Sequence, residues 1–456
     1  MSGVPGGLER LRNRRVAIWG TGVEGREVAR AALSIGADVC FVDDRHDEVE
    51  SLTLDGHEFM VASPEAITGG GYDCIVRSPG VSVYRDELTE ARRSGSVVTS
   101  ATAMWLEDFA GSRIVGVTGT KGKTTTAWLT TLVLEACGLR VRLGGNMGTP
   151  LTALYSPEPT DVYVLEISSF QAADVTVSPP VGILTLIAPD HLDWHRGYDN
   201  YLRDKLNLFA HRDLVALAVN AASEEAMTLT EHFAGRLPYG TDGRVRVQEG
   251  AVLCEGAPAL DTAHFPLRGE HNLVNLCGAL SASLLLGVSP PDVAALSTAL
   301  EKMPVLPSRL ETVGEDGGVE FVNDALASNP AGTLAALRTF NGRRVCLIVG
   351  GQDRGVAVDP LVREISIMRP APSVVSLPGL GARISSELQS SGQRIVCEHA
   401  LDVAEAVVKA RALLSDAGAG VVLFSPAAPT PTSEGSYLQR GAAFNAAVRE
   451  IVDSAR

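Results

Sequence analysis

Positive charge, aromatic rings and paired cysteines are all scarce in this chain of 456 residues. Lys and Arg number 39 against 54 Asp and Glu, a formal net charge of −15. Such an acidic surface repels nucleic acid and anionic membranes, so phosphate-bearing ligands need local, preformed sites. The seven cysteines (Cys40, Cys74, Cys137, Cys254, Cys277, Cys346 and Cys397) are scattered, with no CxxC pair. That excludes a disulfide framework or a zinc ribbon and points to a reducing cytoplasm. Most sit in apolar runs such as Val345-Cys346-Leu347-Ile348 and read as small core hydrophobes. No uncharged apolar run reaches the roughly 18 residues of a membrane span. Met1 to Arg15 has basic residues but no apolar stretch behind them, so a signal peptide is not expected. Aromatics make up 5 %, whereas 46 Gly and 24 Pro supply ample turns. With 45 % hydrophobic and 20 % charged residues the composition is that of a globular protein, which excludes a mostly disordered chain.

Three times an apolar strand runs into a glycine-rich or phosphate-type loop. Arg15–Trp19 precedes Gly20-Thr-Gly22-Val-Glu-Gly25 and a helix through Leu33. Ile114–Thr118 precedes Gly119-Thr-Lys-Gly-Lys-Thr124 and a helix through Cys137. Val345–Val349 precedes Gly350-Gly-Gln-Asp-Arg-Gly355. Strands alternating with helices predict an α/β protein with parallel sheets, whose ligands bind at the carboxyl ends of strands. The segment Ser100–Arg113 leads from the first unit into the second, and the two prolines of Met303–Ser308 separate the second from the third. The expected domains are 1–108, 109–307 and 308–456: Rossmann-like, P-loop ATPase-type and Rossmann-like.

The strongest motif is Thr118-Gly-Thr-Lys-Gly-Lys-Thr-Thr125. Its glycines let backbone N–H groups turn inward around phosphate oxygens, with the helix N-terminus behind them. Gly119, Thr120, Lys121, Gly122 and Thr125 would cradle the phosphates, Lys123 would reach the β and γ groups, and Thr124 would sit on Mg²⁺. It is not a strict Walker A loop, because Val117 stands where the first glycine belongs. The plainer alternative is a glycine turn with a surface lysine. Glu166 ends the apolar run from Asp161, where a Mg²⁺ ligand or water-orienting acid belongs, although a solvated strand end reads the same way. Asp190, His191, Asp193 and His195 follow another apolar strand and suggest zinc, but no Cys or distant third His obviously completes such a site. Gly20, Gly22 and Gly25, with Asp43 and Asp44 after the next strand, imitate a dinucleotide fingerprint. Its physical demand is only a diphosphate on a helix N-terminus. NAD and UDP both meet it.

The ordered set Thr118–Thr124, Gly144-Gly-Asn-Met-Gly-Thr-Pro150, Glu166-Ile-Ser-Ser-Phe-Gln171, Asp190-His-Leu-Asp193, Lys205 in Tyr201-Leu-Arg-Asp-Lys-Leu, and Gly269-Glu-His-Asn-Leu-Val-Asn275 resembles the Mur ligases over nearly the whole chain. Within them it is similar to the MurD group, which adds glutamate to UDP-N-acetylmuramoyl-L-alanine. The resemblance implies three α/β domains, for the UDP end, for ATP, and a mobile C-terminal one whose closure would exclude water. It implies ATP and Mg²⁺, no nucleic-acid or membrane partner, and a monomer working in cytoplasmic peptidoglycan precursor synthesis.

It also implies residue roles. Lys123 and Thr124 would hold ATP phosphates and Mg²⁺. Glu166, Ser168 and His191 would line the metal site, and Lys205 matches a lysine that becomes carbamylated. Asn272 and Asn275 would reach the adenine nucleotide, with Arg309 and Asp324 on its ribose and phosphates. The UDP end would lie on the first glycine loop, Asp43, Ser78 and Gly80, the last two in Arg77-Ser-Pro-Gly80, and Asn146 would contact the muramoyl group. Two rivals stay open: a Rossmann oxidoreductase leaves the Gly-Lys-Thr loop unexplained, and a P-loop switch leaves Lys205 and Asp190–Asp193 without purpose.

The amino-acid pocket departs from the group. Where ordinary MurD proteins read Asp-Ser-Lys-Ala-Thr-Asn, this chain has Asp324-Ala-Leu-Ala-Ser-Asn329. Leu326 replaces a glutamate-binding lysine, Ser328 replaces the threonine, and Arg354 stands for a second lysine. Thr430 and Tyr437 stand for a serine and a phenylalanine. A branch that adds L-glutamate has a Trp-Gly-x-Gly-x-Glu-Gly-Arg start, like Trp19–Arg26, and a His-Leu-Asp-Trp-His stretch, like His191–His195. The expected amino acid is therefore L-glutamate, with D-glutamate the alternative.

Overall fold

The computed structural model describes residues 7–146, 149–241, 243–304, 306–392, 394–415 and 418–454. Residues 1–6 of the amino-terminal segment, Met147 and Gly148 in the Gly144–Pro150 motif, and Val305 in the Met303–Ser308 segment lie outside the described residues.

Three sheets organise the described residues. In the first, the order is Ser51–Leu54, His57–Ala62, Asp38–Val42, Arg15–Trp19, Cys74–Arg77, Val97–Ser100, and only the first pair is antiparallel. Arg15–Trp19 sits where the winding direction reverses, so the crevice beyond its carboxyl end is a ligand position. Its side chains alternate between two cores. Val16 and Ile18 pack with Val28, Phe41 and Val76, while Ala17 and Trp19 pack with Val42, Ile75 and Leu88. That is the period-two consequence of a strand covered on both faces. The segment after Val97–Ser100 is helical over Ala101–Asp108, capped by the Ser100 hydroxyl on the Ala103 N–H.

The second sheet has nine strands. Its parallel heart is Ala216–Asn220, Val181–Leu184, Ile114–Thr118, Val162–Glu166 and Val141–Gly145. Arg236–Gly240 and Val245–Gln248 continue it in parallel, and Ala251–Cys254 and Ala257–Asp261 extend it antiparallel. In the third, Glu311–Asp316 pairs antiparallel with Val319–Asn323. Gly420–Phe424, Val345–Gly351, Ser373–Gly379 and Cys397–His399 follow in parallel. Val345–Gly351 is wholly buried: Leu347 and Val349 face Val374 and Leu423, Cys346 and Ile348 face Phe321 and Phe424.

The chain divides into two compact units. One runs to Pro266 and includes Asn272–Met303, carrying the first two sheets; the other holds Leu267–His271 and the chain from Pro304 on, carrying the third. All seven cysteines are free, four buried and three half-buried. No helix among the described residues is long and apolar enough to cross a membrane.

Candidate active site

The central strand Ile114–Thr118 is buried throughout and delivers the phosphate-type loop at its carboxyl end. Gly119 has φ 149°, and a Cβ there would lie 1.9 Å from Thr185 Oγ1. Gly122 has φ 91°, and its Cβ would lie 2.7 Å from Asn275 Oδ1. Both places demand glycine for conformation and for space. Gly122 then caps the helix Lys123–Ala136, aiming its amino terminus at the loop. Lys123 curls over the loop, donating to the carbonyls of Gly119 at 3.0 Å and Thr120 at 3.1 Å. Lys121 faces Asp190 at 3.8 Å. Thr120 bonds Ala188 through its hydroxyl, and Thr125 is buried in the first turn of the helix. Asn275, abutting Gly122, donates to Asn272 Oδ1 at 3.1 Å, which places both asparagines at the edge of the loop.

Glu166 ends its strand 2 % exposed. One carboxylate oxygen accepts from Thr124 Oγ1 at 2.9 Å, the other from Asn146 Nδ2 at 3.0 Å. Asn146 is therefore engaged with Glu166 in this structure. Ser168 caps the short helix Ser169–Ala172, accepting from the Gln171 N–H and donating to Gln171 Oε1. Lys205, also 2 % exposed, donates to Gly119 O at 2.8 Å and lies 4.8 Å from the Tyr201 ring centre. Burial, reinforced by the charge of Lys123, drives its amine well below the ordinary lysine range. Burial raises the Asp190 carboxyl, but Lys121 and other nearby cations outweigh that and hold it below its usual value. Partial desolvation also lowers the His191 imidazole, against Asp190 and with Lys121, Lys123 and Lys205.

Among the described residues no three His, Cys, Asp or Glu side chains gather into a ready-made cation site. What the crevice offers is hard oxygen, from Glu166 and Thr124, with the His191 imidazole and a low-pKa amine beside it. Those donors suit Mg²⁺, which keeps several waters and takes one or two protein oxygens. The pair His191 and His195 does not act together. His195 is turned into the protein, with Nδ1 at 2.7 Å from Asp204 and Nε2 at 3.0 Å from Ser169 Oγ.

At the first glycine loop, Gly22 caps the helix Val23–Ser34, and a Cβ on it would meet nothing within 4 Å. A Cβ on Gly25 would stand 2.0 Å from Gly20 O, so this glycine lets helix and loop touch. Gly20 has φ 119° and faces Ser78. Asp43 is turned onto the loop itself, accepting from the Thr21 N–H at 3.1 Å and the Thr21 hydroxyl at 2.7 Å. It also accepts from the Arg45 N–H at 3.0 Å. Burial raises its carboxyl, yet these hydrogen bonds prevail and hold it low. Gly80 O receives Trp194 Nε1 at 3.0 Å, and buried Arg77 binds Asp174 at 2.6 Å and Phe170 O at 2.7 Å. The loop behind the Cys74–Arg77 strand is thereby fastened to the second sheet.

In the other unit, the loops after Val319–Asn323, Val345–Gly351 and Gly420–Phe424 meet at the carboxyl ends of those strands. Ser425 Oγ donates to Asp324 at 2.7 Å, and Gln352 N to Pro429 O at 2.9 Å. Arg309, Ser328 and Thr430 are half-buried; Arg354 and Tyr437 are exposed, and Arg354 reaches Gln352 Oε1 at 3.4 Å. Leu326 is tied by its N–H to Ser308 O.

Sequence reasoning assigned nothing to Tyr84, Ser169 or Asp204; Tyr84 bonds Asp204, and His195 joins Asp204 to Ser169. Asp204 precedes Lys205 and His195 closes the His-Leu-Asp-Trp-His stretch, but no local pattern joins either to Tyr84.

Comparison with known proteins places this geometry. The Mur ligase middle domain matches residues 117–283, and the Mur ligase, glutamate ligase domain matches residues 308–427. A protein of Salinispora tropica named UDP-N-acetylmuramoyl-L-alanine–L-glutamate ligase is 38 % identical over 472 residues, covering 97 % of this chain and 99 % of that protein. One of the same name from a Micromonospora species is 38 % identical over 460 residues, covering 97 % and 98 %. A crystal structure of MurF from Acinetobacter baumannii has the same fold, with TM-score 0.62 at 18 % identity over 95 % of this chain and 90 % of that one. Similar along nearly all its length to ligases of that name, and built on the same fold around a glycine-tight phosphate loop, the chain belongs to the Mur ligase family.

Proposed function

We propose that this chain joins L-glutamate to UDP-N-acetylmuramoyl-L-alanine with the hydrolysis of ATP, a step of peptidoglycan precursor synthesis. The observation that carries the reading is one crevice holding the phosphate loop, Glu166 and Lys205, in a chain whose relatives bear that name from end to end. The three sheets would divide the work: UDP end, ATP, amino acid.

A carboxylate is a poor electrophile. Transfer of the γ-phosphoryl group of ATP turns the alanyl carboxylate into an acyl phosphate; the amine of glutamate attacks its carbonyl carbon, and phosphate leaves as the amide forms. Lys123, held above the loop by the carbonyls of Gly119 and Thr120, would turn to the transferring group and offset its growing charge. Thr124, Glu166, His191 and a carbamylated Lys205 would hold Mg²⁺, which supplies charge neutralisation there. Gly22 and the helix Val23–Ser34 would take the UDP diphosphate. Asp43 would keep that loop in shape rather than bind the ribose, since Thr21 and Arg45 already occupy it.

Phosphate release from ATP should require Mg²⁺, UDP-N-acetylmuramoyl-L-alanine and glutamate together. Equal release without the nucleotide sugar would sink the proposal. The choice of L-glutamate is supported by the name its relatives bear. With Leu326 apolar, one glutamate carboxylate needs another cation, and Arg354, exposed at a strand end, offers a planar fork that fixes orientation as well as charge. L-Glutamate should therefore show the higher kcat/KM, and Arg354→Ala should raise the KM for glutamate far more than that for ATP. A win for D-glutamate in direct competition would overturn the choice of enantiomer and leave the ligase reading intact.

A further inference from the structure

The nine-residue helix Tyr198–Leu206 is fastened on two sides. Tyr201 and Lys205, four apart and so on one face, meet the phosphate loop: the Tyr201 hydroxyl bonds Thr120 Oγ1, and Lys205 bonds Gly119 O. Asp204 points about 100° round the helix from Lys205. Its carboxylate accepts from the Tyr84 hydroxyl, whose oxygen lies 2.9 and 3.0 Å from the two carboxylate oxygens, and from His195 Nδ1 at 2.7 Å. Tyr84 stands four residues after Gly80, on the loop read as the nucleotide-sugar side. Two further bonds bind that loop to the residues before the helix: Ser82 Oγ to Trp194 O at 2.7 Å, and Trp194 Nε1 to Gly80 O at 3.0 Å.

Ser169, His195 and Asp204 follow the hydrogen-bond order of a hydrolase triad. They are 3 %, 0 % and 5 % exposed, so no ester could reach the serine. The arrangement suits a brace. With Nδ1–H given to Asp204, His195 Nε2 accepts from Ser169, and each polar group finds a partner, as burial requires.

We propose that Asp204 is a positioning residue: gripped by Tyr84 and His195, it sets the rotation of this helix turn and thereby the place of the Lys205 amine beside Gly119. The loop carrying Tyr84 and the phosphate loop are then aligned through one helix turn. The inference rests on the reading of Lys205 as the carbamylated residue, and its test separates the two.

Asp204→Ala, Asp204→Asn and Tyr84→Phe would be compared with the full-length wild type. Kinetics would be combined with ¹³C-bicarbonate labelling, which detects the Lys205 carbamate by NMR in Mg²⁺-free protein. Asp204→Ala should lower kcat about 10- to 100-fold, the usual effect of removing a partner that orients a ligand. The KM for ATP should stay within about threefold, because the phosphate loop is untouched. The carbamate signal at fixed bicarbonate should fall with kcat and recover partly at higher bicarbonate. Asp204→Asn, which still accepts from Tyr84, should restore part of the loss, and Tyr84→Phe should move both readouts the same way by less. A folded Asp204→Ala with wild-type kcat and carbamate overturns the proposal. So does a kcat loss matched by an equal rise in KM for ATP, which means the loop has collapsed. If Asp204→Ala does not fold, wild-type values for Tyr84→Phe overturn it. If the wild type carries no carbamate while Asp204→Ala still loses kcat at unchanged KM for ATP, positioning stands and carbamylation falls.

Discussion

Lys123→Ala should leave a folded protein that still binds the nucleotide sugar and has lost turnover. The fold survives because the ammonium group donates to carbonyls of its own loop, and Gly119 and Gly122 shape that loop without it. Nucleotide-sugar binding should survive, because the glycine loop proposed to hold it does not use Lys123. Chemistry does not survive. Phosphoryl transfer puts growing negative charge on the oxygens above the loop, and a preorganised cation there is worth far more to the transition state than to bound ATP. The expected loss is at least about 10²-fold in kcat, or ~2.7 kcal/mol of transition-state stabilisation. Steady-state phosphate release gives the rate, and titration with the nucleotide sugar checks binding. A variant keeping more than about a tenth of the wild-type kcat would place less than ~1.4 kcal/mol of transition-state stabilisation on Lys123, too little for the role.

The phosphate loop was legible in the sequence because its conformation is dictated locally: strand, two glycines with positive φ and helix follow within twenty-odd positions, and nothing distant is needed to read them. The buried parallel strands were legible for a similar reason, since Val345–Val349 is apolar at every position. The antiparallel additions were not. Ala251–Cys254 and Ala257–Asp261 are strands of four and five residues with partly exposed faces, too short for a clear period. Asp43 shows a subtler limit. Its place after the second strand suggests a ligand for ribose, yet Thr21 between the two glycines offers a hydroxyl and an N–H that take both the carboxylate and its charge inward. Tyr84 and Asp204 lie 120 residues apart, and Arg77 and Asp174 lie 97 apart. Such pairs are products of packing the first sheet against the second, which no local pattern encodes.

Lys205→Ala should be nearly inactive, with kcat down by at least about 10²-fold, and small carboxylic acids should restore part of the rate. The reason starts from solvation. An ammonium group buried at a carbonyl, with Lys123 nearby, is disfavoured as a cation, and its environment favours the neutral amine. A neutral amine adds to CO₂: a nitrogen–carbon bond forms, the nitrogen proton leaves, and a carbamate anion results. At Lys205 that anion would exchange a repulsive neighbour for an attractive one, since Lys123 would then face negative charge. It would also carry oxygen donors on a long stem into the crevice where Thr124 and Glu166 meet. Alanine removes the stem and with it the anion, leaving a space in which acetate or formate can place a carboxylate. Arginine at this position keeps length and charge but cannot form the carbamate, so Lys205→Arg should be as inactive as Lys205→Ala and should not respond to added acid. Rescue of the alanine variant alone identifies the missing element as a carboxylate. Equal response of both variants, or a Lys205→Ala enzyme keeping more than about a tenth of wild-type kcat, would show that the lysine only fills space.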